Sequence, residues 1–389
     1  MKYQTILILL LLNFCATTWG GELAVDTEFD AGIGEVVQID QEARSITIRI
    51  PKGSGWRVKH YFHVTGITPG ETLTLRISNA SHWKAPRSTY SLDNEHWSFV
   101  DSGSISADRK YCEITQVINH TEAWFAWFPP LTPEHVDHLF TWAADKNRYA
   151  TSFELCKSKV LNRPVMALRV SEPTTTKGLW IQSQQHSMEL GGGWQASGFV
   201  KWLLSEDKQA QALRKSTEVT IVPIMDMDNL VRGFGGKDAK PHDHNRDWIA
   251  APIYAEVKAA QSELRRLHAL DRLNVFVDIH NQGWNSNYYG GEVSVLGGDD
   301  AFHRIFNSEQ TIFTPSMRKV FRETNGSQKL TTSSSSWVGQ LSEEILAVTI
   351  ESNVASPQGC ELAPPLYHEQ VGAELGRSVE RYLRATSKQ

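Results

Sequence analysis

Val275-Phe276-Val277-Asp278-Ile279-His280 is an apolar run of strand length that closes on a histidine, and runs of the same kind recur through the second half of the chain. Leu179-Trp180-Ile181 leads into Gln184-Gln185-His186-Ser187-Met188-Glu189, and Leu346-Ala347-Val348-Thr349-Ile350 leads into Glu351. Val219-Thr220-Ile221-Val222-Pro223-Ile224 leads into a glycine-rich loop that ends in His242-Asp243-His244-Asn245-Arg246-Asp247-Trp248. Helical stretches are expected between and after these runs, at about 195–214, 252–269, 315–324 and 367–386. Strands interleaved with helices predict an α/β domain with a mixed, mainly parallel sheet flanked by helices on both faces.

Upstream, from Gly32 to about Val170, the texture is different. Ile46, Ile48 and Ile50 alternate with polar neighbours, as do Leu73, Leu75 and Ile77, and the runs are bounded by Pro51-Lys52-Gly53-Ser54-Gly55, Pro69-Gly70 and Asp101-Ser102-Gly103. That pattern predicts an antiparallel β-sandwich of about seven or eight strands. The chain has 389 residues, 40% of them hydrophobic, more than one core usually serves. Residues 1–20 carry Lys2, the apolar run Ile6 to Leu12 and then small and polar residues, the pattern of a cleaved secretory signal, too short to span a bilayer. The expected division is a signal over 1–20, a β-sandwich over 21–170 and the α/β domain over 171–389, with Ser171-Glu172-Pro173-Thr174-Thr175-Thr176 as linker. The expected location is secreted or periplasmic. A formal net charge of −5 without long runs of one sign argues against nucleic acid or an acidic membrane as partner. Beyond the signal lie Cys112, Cys156 and Cys360; a Cys112–Cys156 disulfide is open, and the spacing does not settle the pairing.

Ligands of open α/β sheets bind where strands end and loops begin. Four strand ends here deliver titratable or cationic groups toward one rim. Catalytic zinc takes three nitrogen or oxygen ligands and leaves one position open. His186 and Glu189, three apart across a tight turn, can face one ion, and His280 from another strand end completes the set. Of the fourteen histidines only His186 has a glutamate three residues on. Other pairs fit less well. His60 and His63 lie in a β-rich run, where residues three apart face opposite ways, and His135 and His138 lack a third ligand. His242-x-His244 is the strongest competitor, although its place beside Asn245 favours shaping the loop or touching substrate. Asp226, Asp228 and Asp278 are candidates to orient the zinc histidines.

On four features in family order the chain resembles the M14 zinc carboxypeptidases, and more closely their cytosolic carboxypeptidase-like subgroup. These are His186-x-x-Glu189, Asn245-Arg246-Asp247-Trp248, Asp278-Ile279-His280 and Thr349-Ile350-Glu351. The N-terminal part resembles the subgroup's β-sandwich, including Phe125-Ala126-Trp127-Phe128-Pro129-Pro130-Leu131-Thr132. The resemblance implies a metallocarboxypeptidase with one Zn²⁺ held by His186, Glu189 and His280. It implies that Glu351 takes a proton from the attacking water and passes it to the leaving amine. Asn245 and Arg246 match the pair that holds the substrate's terminal carboxylate, a task suited to a guanidinium fork. Arg232 stands where an oxyanion-stabilising arginine is expected, with Lys237 or Lys240 as substitutes. The family's tyrosine over the substrate has no counterpart in Thr331 to Trp337; Tyr288 and Tyr289 lie nearer His280. The implied substrate is a peptide with a free C-terminal carboxylate. Two alternatives stay open: a zinc-dependent deacylase of N-acyl amino acids, and a secreted glycan- or protein-binding protein using tryptophans such as Trp56, Trp83 or Trp97.

Overall fold

The computed structural model describes residues 21–51, 59–79, 88–108, 110–282, 291–315, 332–354, 360 and 362–386. The expected signal, most of the helix expected near 315–324, and Trp56, Trp83, Tyr288 and Tyr289 lie outside these residues.

The alternating segments build two five-stranded sheets. The strands are β1 (Ala24–Asp26), β2 (Glu35–Asp40), β3 (Ser45–Arg49), β4 (Tyr61–Thr65), β5 (Glu71–Ser78), β6 (Thr89–Ser91), β7 (Trp97–Phe99), β8 (Ser102–Ile105), β9 (Tyr111–Ile118) and β10 (Glu122–Ala126). One sheet runs β1-β4-β10-β6-β7 and the other β2-β3-β5-β9-β8. Period-two alternation turns Ile46, Ile48, Leu73, Leu75 and Ile77 of one sheet into a core shared with Phe62, Val64 and Phe125 of the other. The sheets are antiparallel except where β3 runs parallel to β5. The count exceeds the expected seven or eight because β6, β7 and β8 have three or four residues each, too few to show a period.

The architecture changes well before residue 170. After β10, Thr132 and His135 form a capping box at the start of α1 (Pro133–Lys146). Strands β11 (Ala150–Lys157) and β12 (Pro164–Val170) then belong to a third, eight-stranded sheet, β12 pairing antiparallel with β14 (Thr217–Val222). The expected 21–170 sandwich is therefore corrected: residues from α1 onward share the core of the second unit. Alternation alone misled here. An antiparallel hairpin on the edge of a mixed sheet reads like one more sandwich strand pair.

This third sheet has the order β11-β12-β14-β13-β15-β18-β16-β17, the new members being β13 (Lys177–Ser183), β15 (Val275–Gln282), β16 (Glu292–Gly297), β17 (Thr314–Pro315) and β18 (Leu346–Asn353). β14, β13, β15 and β18 are mutually parallel, as expected from the apolar runs. The helices are α2 (Leu190–Leu203), α3 (Lys208–Ser216), α4 (Met227–Val231), α5 (Ala255–Ala269), α6 (Asp300–Glu309), α7 (Ser334–Gly339) and α8 (Leu366–Thr386). The helix expected near 195–214 is two helices, because Asp207 accepts from the backbone of Gln209 and Ala210 and starts α3 afresh. α2 begins early, through three consecutive glycines. A Cβ on Gly198 would come 2.0 Å from the Glu369 carbonyl, and one on Gly372 would come 2.0 Å from the Gln195 carbonyl. α2 and α8 therefore pack backbone against backbone. Cys112, Cys156 and Cys360 are free thiols, so the Cys112–Cys156 bridge is not formed. No helix among the described residues is long and apolar enough to cross a membrane.

Candidate metal centre

The ends of parallel strands β13, β15 and β18 set the site. The chain leaves β13 through Gln184, held in the left-handed region at φ +51°, and turns so that the Glu189 amide hydrogen-bonds the His186 carbonyl. Glu189 is the residue before α2 and its side chain does not cap that helix. Its two carboxylate oxygens point instead at imidazoles: Oε1 is 2.9 Å from His186 Nδ1 and Oε2 is 2.6 Å from His280 Nδ1. The loop is braced from behind by the 234–236 segment. Met188 N donates to the Gly235 carbonyl, and Ser187 Oγ donates to that of Phe234.

Among the described residues, His186, Glu189 and His280 form the group able to hold a metal, with one ligand atom from each within 4.8 Å of the others. A zinc ion about 2 Å from each atom would set them roughly 3.3 Å apart, and Glu189 already lies 2.9 and 2.6 Å from the two imidazoles. The donor set fits the ion chemically as well. His280 Nε2 lies 2.8 Å from Asp278 Oδ2, and His186 Nε2 lies 3.2 Å from Asp243 Oδ1. A carboxylate at each outer nitrogen keeps the proton there and leaves the Nδ1 lone pairs facing Glu189. All three residues are buried. Burial alone would raise the Glu189 carboxyl pKa; the charges of His186 and His280 outweigh it and hold the group well below the usual carboxylate range. Burial likewise disfavours charged His280, but Asp278 and Glu189 together raise its pKa well above the ordinary histidine value. Both shifts describe a pocket that demands a positive charge.

Glu351 is the register partner of His280 in the parallel β15–β18 pair, and Thr349 is the partner of Asp278. The four side chains share one sheet face by strand alternation. α7 covers the lower pair: Ser334 Oγ is 2.5 Å from Asp278 Oδ2 and Ser335 Oγ is 2.8 Å from Thr349 Oγ1. Gln185 Nε2 also donates to Asp278 at 2.6 Å, while its Oε1 accepts from Trp248 Nε1 at 2.7 Å.

The expected substrate residues separate. Asn245 is buried and its amide turns inward, with Nδ2 3.1 Å from His280 Nε2 and Oδ1 accepting from Ser334 N at 3.1 Å. Arg246 is half-exposed; among the described residues its guanidinium donates to the Asn245 carbonyl at 2.8 Å and forms no ion pair. Neither neighbouring aspartate pairs with it among the described residues: Asp247 takes His242 at 2.7 Å and the Ile253 and Tyr254 amides, and Asp243 faces His186. Arg232 is exposed and stacks on Phe234, 4.3 Å from the ring centroid, so the structure gives it a partner outside the metal cluster. Lys237 does reach the cluster, Nζ 3.2 Å from His186 Nε2 and 3.8 Å from Asp243 Oδ2.

His244, half of the competing histidine pair, lies between Asp226 at 3.6 Å and Glu256 at 3.7 Å and stacks on Tyr254; it shapes the loop. Of the aspartates expected to orient ligands, Asp278 does so. Asp226 serves Asn229, and Asp228 accepts from the Val160 and Leu161 amides. Asp243 and Ser334 were not among the expected site residues; no local signal marks either, because their contacts come from distant segments. Trp97 is buried, which removes it as an exposed glycan platform.

Two family models match the chain: one described as the cytosolic carboxypeptidase N-terminal domain over residues 25–128, and one described as zinc carboxypeptidase over 139–251. An uncharacterized protein of Zymomonas mobilis is 25% identical over 237 residues, covering 58% of this chain and 59% of its own length. Cytosolic carboxypeptidase 2 of Danio rerio is 24% identical over 310 residues, covering 69% of this chain and 42% of its own length. The chain thus spans about half the length of these relatives. A solved metallo-carboxypeptidase from Burkholderia cenocepacia shares the fold, with a TM-score of 0.78 at 21% identity over 94% of this chain and all of that one.

Proposed function

This chain belongs to the M14 zinc carboxypeptidase family, and we propose that it hydrolyses the last amide bond of peptides that carry a free C-terminal carboxylate. The observation that carries this reading is the convergence of His186, Glu189 and His280 beside Glu351, on the same face of neighbouring strand ends. His186, Glu189 and His280 would hold one zinc ion, which would supply Lewis acidity toward the scissile carbonyl and the attacking water. Glu351 accepts the proton that the attacking water gives up as the new C–O bond forms, and returns it to the departing amine as the C–N bond breaks. Arg246, free of carboxylate partners among the described residues, offers a fork to the terminal carboxylate. Asn245 accepts from Ser334 N of α7 and faces His280 rather than reaching out. Lys237, not Arg232, is the cation placed to respond to charge near His186. The apolar run at 6–12 supports export to the periplasm or exterior, which N-terminal sequencing of the mature protein from a secreting host would test.

Purified protein is expected to hold one zinc per chain and to shorten free-acid peptides one residue at a time, with loss and return of activity on chelation and zinc addition. The same peptides with amidated ends are expected to resist. Internal cuts, or equal cleavage of both sets, would sink the exopeptidase reading. Deacylation of N-acyl amino acids needs the same groups; turnover of those compounds alone would move the substrate to that class.

A further inference from the structure

We propose that Gln195, Ser352, Asn281 and His368 form a buried positioning chain beneath the metal centre, through which the C-terminal helix α8 sets the spacing of Glu189, His280 and Glu351. The inference rests on the zinc site of the proposed function.

Two of the links, and the backbone amide that Asn281 binds, sit one or two residues beyond a site residue. Asn281 follows His280, Ser352 follows Glu351, and Gly191 lies two past Glu189. Strand alternation sends Asn281 and Ser352, which are register partners, to the sheet face opposite the metal, where α2 and α8 cover them. There Asn281 Nδ2 donates to Ser352 Oγ at 3.1 Å and to the Ser352 carbonyl at 3.2 Å, while Asn281 Oδ1 accepts from Gly191 N at 3.1 Å. Gln195 Nε2 lies 2.6 Å from Ser352 Oγ and 3.1 Å from His368 Nδ1. His368 Nε2 is 3.0 Å from the Val354 carbonyl, just past β18.

The chain has a definite direction. A carbonyl only accepts, so His368 carries its proton on Nε2 and its Nδ1 must accept from the Gln195 amide. Burial pushes the pKa of His368 down to about 3, which keeps the ring neutral and this arrangement intact near neutral pH. All four side chains are buried. Apolar residues would fill the same space without polar desolvation, whereas hydrogen bonds among these side chains fix the relative offsets of the parts they join, even with Gln195 Oε1 left unpaired among the described residues. Space is as tight as the bonding: a Cβ on Gly191 would sit 2.5 Å from His368 Nε2 and 2.7 Å from Asn281 Oδ1. Shifting β15 against β18, or α2 against either, moves the opposite-face side chains by the same amount. Displacements of about 1 Å cost catalysis on the order of a hundredfold, and loosening the support of metal ligands costs about 10–100-fold in metal affinity.

The test uses full-length holoenzyme and four variants: Ser352→Ala, His368→Leu, His368→Gln and, as control, Ser378→Ala. Ser378 is buried in the same helix and, among the described residues, its hydroxyl bonds the Glu374 carbonyl within it. Zinc affinity by chelator competition and the split between kcat and KM are read for each, with thermal melting to verify folding. The expected result is zinc affinity and kcat lowered about tenfold or more in Ser352→Ala and His368→Leu with KM nearly unchanged. His368→Gln, which can still accept and donate, recovers most of the loss, and the control stays at wild type. Folded Ser352→Ala with wild-type zinc affinity and kcat overturns the proposal, as does an equal loss in Ser378→Ala. Wild-type protein that binds zinc yet cleaves no peptide would remove the peptidase reading alone, since the zinc comparison still reads the positioning chain.

Discussion

Glu351 stands directly across from His280 on adjacent parallel strands, so the proposed metal ligand and the proposed base are held by the same backbone ladder. Replacing Glu351 with Gln keeps the shape and removes the base. The expected outcome is a fall in kcat of about 10²–10⁴-fold with zinc content and melting temperature unchanged. Wild-type turnover in Glu351→Gln would refute its role.

Asp278 receives His280, Gln185 and Ser334 at 2.8, 2.6 and 2.5 Å. Asp278→Asn keeps the volume but no longer fixes the proton on His280 Nε2. Zinc affinity, measured by chelator competition, is expected to drop about 10–100-fold. Asp243→Asn should act in the same direction through His186, and more weakly, since its contact is longer at 3.2 Å.

Arg246 has a fork to offer and no carboxylate partner among the described residues. Arg246→Ala is expected to lower kcat/KM on free-acid peptides about 10–100-fold, the loss of a charge-assisted hydrogen bond, and to leave the weak turnover of amidated peptides unchanged. Arg246→Lys should recover only part of this, because an ammonium cannot form two parallel bonds. Equal loss on both peptide sets would assign Arg246 to folding rather than recognition.

Arg232 and Lys237 separate two readings of the loop. With its guanidinium stacked on Phe234, Arg232→Ala is expected to change kcat by no more than about twofold, within the range of surface substitutions. Lys237→Met, beside His186, should alter kcat more and shift its pH profile. Steady-state kinetics of the two variants decide between them.

Burial lowers His60 and His368 from 6.5 to about 3. Between about pH 6.5 and 3 the unfolded chain therefore binds protons at these sites that the folded chain refuses. Stability rises with pH wherever the unfolded state binds more protons, so it is full above about 6.5 and is lost as the pH falls through that window. His368→Gln removes one such site, and its melting temperature is expected to fall less steeply than wild type between pH 6.5 and 4. Parallel slopes would show that another group governs acid unfolding.

Much of this protein is legible in one dimension. The apolar runs ending at His186, His280 and Glu351 announce parallel strands whose ends meet, because a strand's period and its terminus are local properties. The Glu three residues after His186 announces a turn that can face one ion, since three residues are all that turn needs. What joins those ends is not local. Asp243 behind His186, Asn245 turned onto His280, and the bond from Ser334 to Asp278 span 57, 35 and 56 residues of chain, and no period or motif encodes them. The edge hairpin of β11 and β12 read as sandwich, because alternation reports which face of a strand is wet and not which sheet it joins. Tertiary packing decided that, as it decided which of Arg232 and Lys237 reaches the cluster. A flexible cation in a glycine-rich loop has no preferred direction until neighbouring elements close around it.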